Sequence, residues 1–311
     1  MTLAYITHPV FLLHEMGANH PECPSRLNAI NDQLIASGLD MILGHYEAPL
    51  ADDAKICQVH DAEFLQHLYD LVPEQGLVHI TPDTALNSHT MEAATHGAGA
   101  VILGVDLVMQ KKHEVAFCAV RPPGHHAERD EAMGLCFLNN IAIGARHALD
   151  VYGLERIVIV DFDVHHGNGT EDIFRNDERV LFCSSFQHPF YPFTGADTTT
   201  RNAVNVPLPA GTDGEVFRAA ISESWLPAIN RFKPQLVMIS AGFDGHAQDY
   251  VSDWNLTEQD YFWVTRELKL IADKYAEGRV VSALEGGYDT SALARSVVAH
   301  LKALMGYDSM L

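Results

Sequence analysis

The segment DFDVHHGNG places several metal-binding side chains close together. Residues two apart in an extended chain share a face, so Asp161, Asp163 and His165 are expected to point the same way. Asp244, in the segment AGFD, adds another carboxylate. A catalytic zinc ion takes three protein ligands and keeps one position open, so this set is sufficient. A solvated strand end carrying loop carboxylates is the alternative, and polar residues at three other strand ends favour the metal site.

Two further groups have side chains that could move protons or stabilise charge. His125 and His126 follow the sequence RPPG, which predicts a tight turn. A lone histidine is more often an ordinary core residue, but an adjacent pair at a strand end is suited to acid–base catalysis. Tyr288 follows EGG, whose glycines predict a sharp turn that leaves the phenol hydroxyl free to donate to an oxyanion.

The elements that must position these residues alternate between short β-branched runs and helical stretches. The candidate strands are 115–120, 156–163, 179–185, 235–242 and 279–287, and the candidate helices are 25–37, 90–110, 213–232, 256–276 and 290–305. This alternation predicts one α/β domain spanning residues 1–311, with a parallel sheet covered by helices on both faces. Ligands bind at the carboxyl ends of strands in such sheets. Four of these strands lead into the polar motifs, which are therefore expected at one edge.

The bulk composition indicates an acidic globular protein. The 311 residues are 47% hydrophobic, and 20 Lys and Arg against 41 Asp and Glu give a formal charge of −21. That charge disfavours nucleic acid and anionic membranes and favours cationic partners. Five dispersed cysteines, no basic region before the apolar N-terminal stretch and no apolar run of bilayer length predict a cytoplasmic protein.

The order of the motifs resembles the histone deacetylase and acetylpolyamine amidohydrolase family. The motifs are RPPGHHAERDEAMGLCFLNN, DFDVHHGNGTEDIF, AGFD and EGGYD, and GANHPECPSRL, DTALNSHTMEAA and NVPLPAGT extend the likeness over nearly the full chain. The HPECP and EGGY forms are similar to the class II branch and its bacterial zinc deacetylases. The resemblance implies an arginase-like open parallel sheet and an enzyme that removes acetyl or related acyl groups from amines such as acetyl-lysine.

The resemblance implies two metal ions. A catalytic Zn²⁺ would be bound by Asp163, His165 and Asp244. A structural K⁺ would lie close by, bound by Asp161, the Ser184–Ser185 segment and the backbone oxygens of Asp163 and His165.

The resemblance also implies how the proton-transfer groups are paired. His125 would stand beside the attacking water with Asp161 behind its ring, and His126 would be the acid–base residue backed by Asn168. Tyr288 would polarise the acyl carbonyl. A carboxylate favours a charged imidazole and a neutral amide does not, so the pKa values of the two histidines are expected to separate.

Other positions are implied to contact the substrate or its products. They are Gly134, Leu135, Tyr191, Asp83 and Val251 in the substrate tunnel and Arg26 in an inner channel. Leu135 stands where the family usually has a tunnel Phe, so bulkier acyl groups could fit. Val251 is apolar where polyamine-specific relatives have an acidic residue. The apolar side chain at this position favours a lysine-like or simple alkyl amine over a polycation.

Three alternatives stay open to different degrees. An arginase-type enzyme would need a second-metal Asp where Gly167 stands. An acetylpolyamine hydrolase stays open because two acids, Asp249 and Asp253, lie close to Val251 in the sequence. An inactive, ligand-binding relative would have lost Tyr288, a zinc ligand or the histidine pair, and none of these is lost. The expected partner is an acylated lysine or a small acylated amine, and assembly into a homo-oligomer stays open.

Overall fold

The strands form where apolar and β-branched residues run continuously, as in IVIVD and VVSAL, which are buried at every position. The computed structural model describes residues 3–310. Its strands are β1 Leu3–Thr7, β2 Gly44–Glu47, β3 Val78–His79, β4 Ala85–Leu86, β5 Val115–Cys118, β6 Ile157–Asp161, β7 Val180–Gln187, β8 Ala203–Leu208, β9 Leu236–Ala241 and β10 Val280–Leu284.

Eight strands form one sheet in the order β2-β1-β5-β10-β9-β6-β7-β8, and every neighbouring pair is parallel. β3 and β4 form a separate antiparallel pair. The four strands that lead into the polar motifs, β5, β10, β9 and β6, lie side by side at the centre. Their carboxyl ends therefore meet at one edge of the sheet, where ligands bind in open α/β folds.

The helices surround this sheet. They are α1 Ser25–Ala36, α2 Asp53–Ile56, α3 Ala62–Leu71, α4 Thr90–Met109, α5 Asn140–Tyr152, α6 Asn168–Phe174, α7 Gly214–Glu223, α8 Trp225–Phe232, α9 Glu258–Tyr275 and α10 Thr290–Leu304, with 3₁₀ turns at Pro9–Leu12 and Leu39–Ile42. α4 packs on α5 and against β5 and β10, and α10 packs on α9 and α1. The continuous core runs from Leu3 to Met305. The predicted parallel sheet with helices on both faces is confirmed.

One segment predicted as a single helix forms two helices in the structure. The segment 213–232 forms two helices, α7 and α8, which meet at Ser224, where φ is −108° and ψ is −67°. Pro227 follows three residues later and has no N–H to donate to the carbonyl of Glu223. The helical hydrogen bonding is therefore interrupted, and the chain bends.

The central helix α4 corrects another expectation. An 18-residue window of this 20-residue helix has a mean hydropathy of 1.2, so by length and composition it could cross a bilayer, although no such run was expected. In the structure, 78% of that window is buried inside the protein. Packing against the sheet and α5 therefore accounts for its apolar character.

Candidate metal-dependent active site

The three predicted metal ligands come together at the carboxyl ends of β6 and β9. Asp163 and His165 follow β6, Asp244 follows β9, and their ligand atoms all lie within 4.8 Å of one another. His165 Nδ1 lies 3.0 Å from Asp163 Oδ1 and 3.1 Å from Asp244 Oδ2. Both carboxylates are buried, and the imidazole is partly exposed. The arrangement presents one nitrogen and two carboxylate oxygens to a common point.

The charge of this group fits a divalent cation. Burial and the neighbouring charge of Asp163 raise the pKa of Asp244 to about 7. Two carboxylates so close together and away from water repel each other unless a cation lies between them. Carboxylate oxygen and imidazole nitrogen are ligands that catalytic zinc sites use. The donor set and its closely placed carboxylates therefore suit a metal ion.

Two glycines allow the backbone to approach these carboxylates. A Cβ on Gly242 would lie 2.1 Å from Asp163 Oδ2, and a Cβ on Gly286 would lie 2.2 Å from Asp244 Oδ2. The Gly286 N–H donates to Asp163 Oδ2 at 2.8 Å. Any side chain at either position would displace a predicted ligand. These glycines belong to the AGFD and EGGYD motifs, and their role is close packing on the metal site.

The first histidine of the pair is held by a carboxylate. His125 Nδ1 lies 2.8 Å from Asp161 Oδ2, and both side chains are buried. Burial opposes a charge on this ring, but Asp161 and Asp163 outweigh burial and raise the pKa of His125 well above the ordinary value. His125 is therefore the charged member of the pair.

The second histidine has a neutral partner. His126 Nδ1 lies 2.7 Å from Asn168 Oδ1, at the first turn of α6. Burial and the adjacent His125 ring, whose centroid is 4.0 Å away, lower the pKa of His126 well below the ordinary value. The pKa values of the two imidazoles are thus shifted in opposite directions, which suits one base and one fixed charge.

Tyr288 is positioned through its backbone by a buried acid. Asp249 Oδ2 accepts hydrogen bonds from the N–H groups of Tyr288 at 2.6 Å and Asp289 at 3.0 Å, and Asp249 Oδ1 accepts from Val251 N–H at 3.1 Å. No motif in the sequence indicates this role for Asp249. Its side chain is 6% exposed, so it fixes the Tyr288 turn and the Val251 loop.

Arg26 supports the same turn from the other side. The resemblance implies that it lines an inner channel, and this stays a prediction. Its fully buried guanidinium donates to the carbonyl oxygens of Gly287 at 2.7 Å and Glu285 at 2.5 Å and pairs with Glu22 at 3.1 Å. Its Cζ also lies 5.1 Å from the centroid of the Tyr288 ring. Its interactions therefore position the phenol.

Glu285 is a further residue whose role the sequence did not reveal. Its carboxylate accepts from the N–H groups of Gly124 at 2.7 Å and His125 at 3.2 Å and from the Ser240 hydroxyl at 3.1 Å. Burial raises its pKa to about 7. It ties the RPPGHH turn to β9 and β10. An acid followed by two glycines was the available signal, but the groups that it bonds lie far away along the chain.

A cleft of about 530 Å³ opens at His126, His165 and Tyr288. It is lined by His20, Pro21, Asp83, His126, Gly134, Leu135, Tyr191, His165, Val251 and Tyr288. All five positions that the resemblance implied for the substrate tunnel are among them, and His20 and Pro21 are additions. Gly134 and Leu135 both have positive φ, 55° and 69°, and the Leu135 N–H donates to Thr84 Oγ1 at 3.0 Å.

The positions implied for potassium lie on neighbouring strands. Asp161 in β6 pairs in register with Ser184 in β7. Asp161 Oδ1 accepts from Asp163 N–H at 3.1 Å, and the buried Ser184 Oγ lies 3.0 Å from His166 Nδ1. The two residues therefore lie at one level of the sheet on neighbouring strands.

The chain matches the histone deacetylase domain over residues 20–304. It belongs to the histone deacetylase family. It is 37% identical to a probable deacetylase of Archaeoglobus fulgidus over 320 residues, covering 99% of this chain and 88% of that one. It is 32% identical to the histone deacetylase-like amidohydrolase of Pseudomonas aeruginosa over 300 residues, covering 94% and 79%.

A solved structure agrees with this placement. The crystal structure of the HDA15 HD domain superposes with a TM-score of 0.91 at 31% identity, covering 99% of this chain and 90% of that chain. The arginase-like fold is confirmed. This histone deacetylase-family protein is therefore a deacetylase or amidohydrolase that hydrolyses amide bonds of acetylated substrates. The family is generally metal-dependent, in agreement with the converging ligand group.

Proposed function

We propose that the protein is a zinc-dependent hydrolase that removes acetyl or related acyl groups from acylated amines such as acetyl-lysine in peptides or proteins. One observation carries the proposal. The group Asp163, His165 and Asp244 lies at the base of a cleft that His126 and Tyr288 also line. A metal, a base and an oxyanion donor are the parts that amide hydrolysis by water requires.

Zinc bound by Asp163, His165 and Asp244 would make its water more acidic and polarise the acyl carbonyl. The protein's own side chains transfer the protons and stabilise the developing charge. His126 is held neutral, so it accepts the proton of the attacking water and returns it to the amine nitrogen as the C–N bond breaks. Its charged neighbour His125 stabilises the negative charge that develops.

Tyr288 is the proposed oxyanion donor. Burial and the charge of Asp244 raise the pKa of its phenol well above the ordinary value, so the hydroxyl keeps its proton. Asp249 and Arg26 fix the turn that carries it. A donor that is already in place costs no reorganisation when the carbonyl oxygen becomes negative.

The preferred amine is proposed to be lysine-like. The cleft wall at Val251 is apolar, and Leu135 leaves space where an aromatic ring would narrow the tunnel. A polyamine is the second candidate, and one observation favours it. Asp83 is exposed at the cleft, where its carboxylate could meet an ammonium group.

We also propose K⁺ as a structural ion at Asp161 and Ser184. The support is their paired register and the carboxylate and hydroxyl oxygens that they offer. Hard cations prefer such oxygen ligands.

The test is a substrate panel of acetyl-lysine peptide, trifluoroacetyl-lysine peptide, acetylspermidine and acetylputrescine at low and high salt. We expect the acetyl-lysine peptide to have a higher kcat/KM than acetylspermidine at both salt concentrations. Tyr288→Phe should lose activity on every substrate, and Tyr307→Phe, which removes an exposed hydroxyl elsewhere, should not. Equal activity of Tyr288→Phe and wild type would contradict the proposed oxyanion donor. A preference for acetylspermidine that survives high salt would instead indicate a local acidic recognition site, and Asp83 would be the first residue to substitute.

A further inference from the structure

The amide of Asn168 lies in an asymmetric environment. Its Nδ2 is surrounded by acceptors, which are Glu128 Oε1 at 2.6 Å, Met133 Sδ at 3.3 Å and the His126 carbonyl oxygen at 3.4 Å. None of these atoms can donate a hydrogen bond when Glu128 is ionised. The NH₂ group must therefore face them, and Oδ1 must face the His126 ring.

This orientation determines which nitrogen of His126 carries the proton. Asn168 Oδ1 can only accept, so His126 Nδ1, 2.7 Å away, must donate. In the neutral ring the lone pair is then on Nε2, on the opposite side from Asn168. A reversed amide would point its NH₂ at Nδ1 and would favour the other tautomer, in which Nε2 is protonated and cannot accept a proton from water.

Glu128 is the acceptor that holds the amide in place. A hydrogen bond to a carboxylate is about twice as strong as one between neutral groups, and the thioether and the 3.4 Å carbonyl contact are weaker. The backbone of Glu128 is itself fixed. Its N–H donates to Glu131 O at 2.9 Å, and its carbonyl oxygen lies 2.8 Å from His60 Nδ1. The loop after β5 therefore presents this carboxylate in one place.

We propose that Glu128 is a positioning residue that, through Asn168, fixes His126 in the Nδ1–H tautomer and so leaves Nε2 free to act as the base. The inference rests on the proposed function for its effect on catalysis. Its effect on the tautomer can be measured without any substrate. Glu128 touches no reacting atom in this scheme and acts only through Asn168 and His126.

The test compares Glu128→Ala and Glu128→Met, which remove the acceptor, with Glu128→Gln, which keeps an acceptor oxygen. Glu131→Gln is the matched control, because it removes one negative charge from an exposed position on the same loop. We expect the removal variants to lose between about 10- and 100-fold in kcat with little change in KM, the range found for groups that orient a metal-binding imidazole. Glu128→Gln should retain most of kcat, and the control should match wild type.

The tautomer is measured on the metal-loaded protein by ¹⁵N NMR of labelled histidine, with the His126 signals identified by their loss in His126→Ala. Wild type, Glu128→Gln and Glu131→Gln should show protonated Nδ1 and bare Nε2, and the removal variants a mixture. An unchanged tautomer in both removal variants would overturn the inference. A loss in Glu131→Gln equal to that in Glu128→Ala would also overturn it. If no protein in the series hydrolyses any substrate, the proposed function fails, and the NMR result still decides the tautomer.

Discussion

The floor of the cleft and its walls are held in different ways. The floor lies at the carboxyl ends of four adjacent strands and is fixed by buried hydrogen bonds. It is formed by Asp163, His165, Asp244, His125, His126 and Tyr288. The walls, formed by Asp83, Leu135, Tyr191 and Val251, come from separate loops. Large exposed side chains stand next to these walls, with Phe193 72% and Tyr250 68% exposed. We propose from this difference that the floor determines the reaction and the walls determine the substrate.

The largest loss of activity is expected when a floor residue is removed. Asp244→Ala should lose the metal and at least about 10³-fold in kcat/KM, because a metal supplies several kcal/mol to the transition state and about 1.4 kcal/mol is tenfold. Metal analysis, activity and thermal melting check this result. The protein should stay folded, since a repelled buried carboxylate has been removed. Asp253→Ala, an exposed acid nearby, is the control, and metal retained by Asp244→Ala would contradict the ligand assignment.

The histidine pair tests whether the floor has one base. His126→Ala should lower kcat by about 10²–10⁴-fold, the range for a lost general base, and His125→Ala should cost less. Steady-state kinetics on the acetyl-lysine peptide give the comparison. Small and equal losses would mean that neither ring transfers the proton alone.

Replacing Asn168 with Asp should shift the pH dependence of kcat/KM while keeping a hydrogen-bond partner for His126. Asn168→Asp places a negative charge at Nδ1 and raises the pKa of His126. A base works in its neutral form, and a raised pKa means that neutrality is reached at higher pH. The acid limb of the kcat/KM profile should therefore move upward, by about one pH unit for each ~1.4 kcal/mol of added interaction. A limb that stays in place would contradict the role of His126 as the base.

The smallest effect is expected in the walls. Leu135→Phe should narrow the tunnel and lower the kcat/KM of a butyryl-lysine peptide relative to an acetyl-lysine peptide by about tenfold, with little loss on the acetyl substrate. Leu270→Phe makes the same change at an exposed site on α9 and serves as the control. Equal losses on both substrates would mean that Leu135 affects the reaction itself, as the floor residues do, and not the choice of acyl group.

The floor could be predicted from the sequence because its motifs follow strands that lie side by side. Spacing of two and polar strand ends were enough to group Asp161, Asp163, His165 and Asp244. The resemblance then indicated which three of them would bind zinc. The supporting groups could not be predicted in the same way. Asp249 and Arg26 act by bonding backbone atoms of the Tyr288 turn, and a sequence does not show which backbone groups a buried charge will meet.

Parts of the fold were also not predicted. β1 has only five residues, and a short, mostly apolar run cannot be told from a buried helix segment by periodicity alone. α5 begins directly after the buried FL segment and is capped by Asn139, whose side chain accepts from Ala142 N–H. The wall positions came from the resemblance, since their loops are distant in sequence and meet only in the folded chain.

The most direct test of the account is reconstitution. Protein freed of metal with a strong chelator is titrated with zinc while hydrolysis of an acetyl-lysine peptide is followed. We predict that activity is absent at first, rises in proportion to added zinc and reaches its full value at one catalytic zinc per chain. Asp244→Asn, which keeps the side-chain shape, should show no such rise. Full turnover by protein shown to contain no metal would contradict the account.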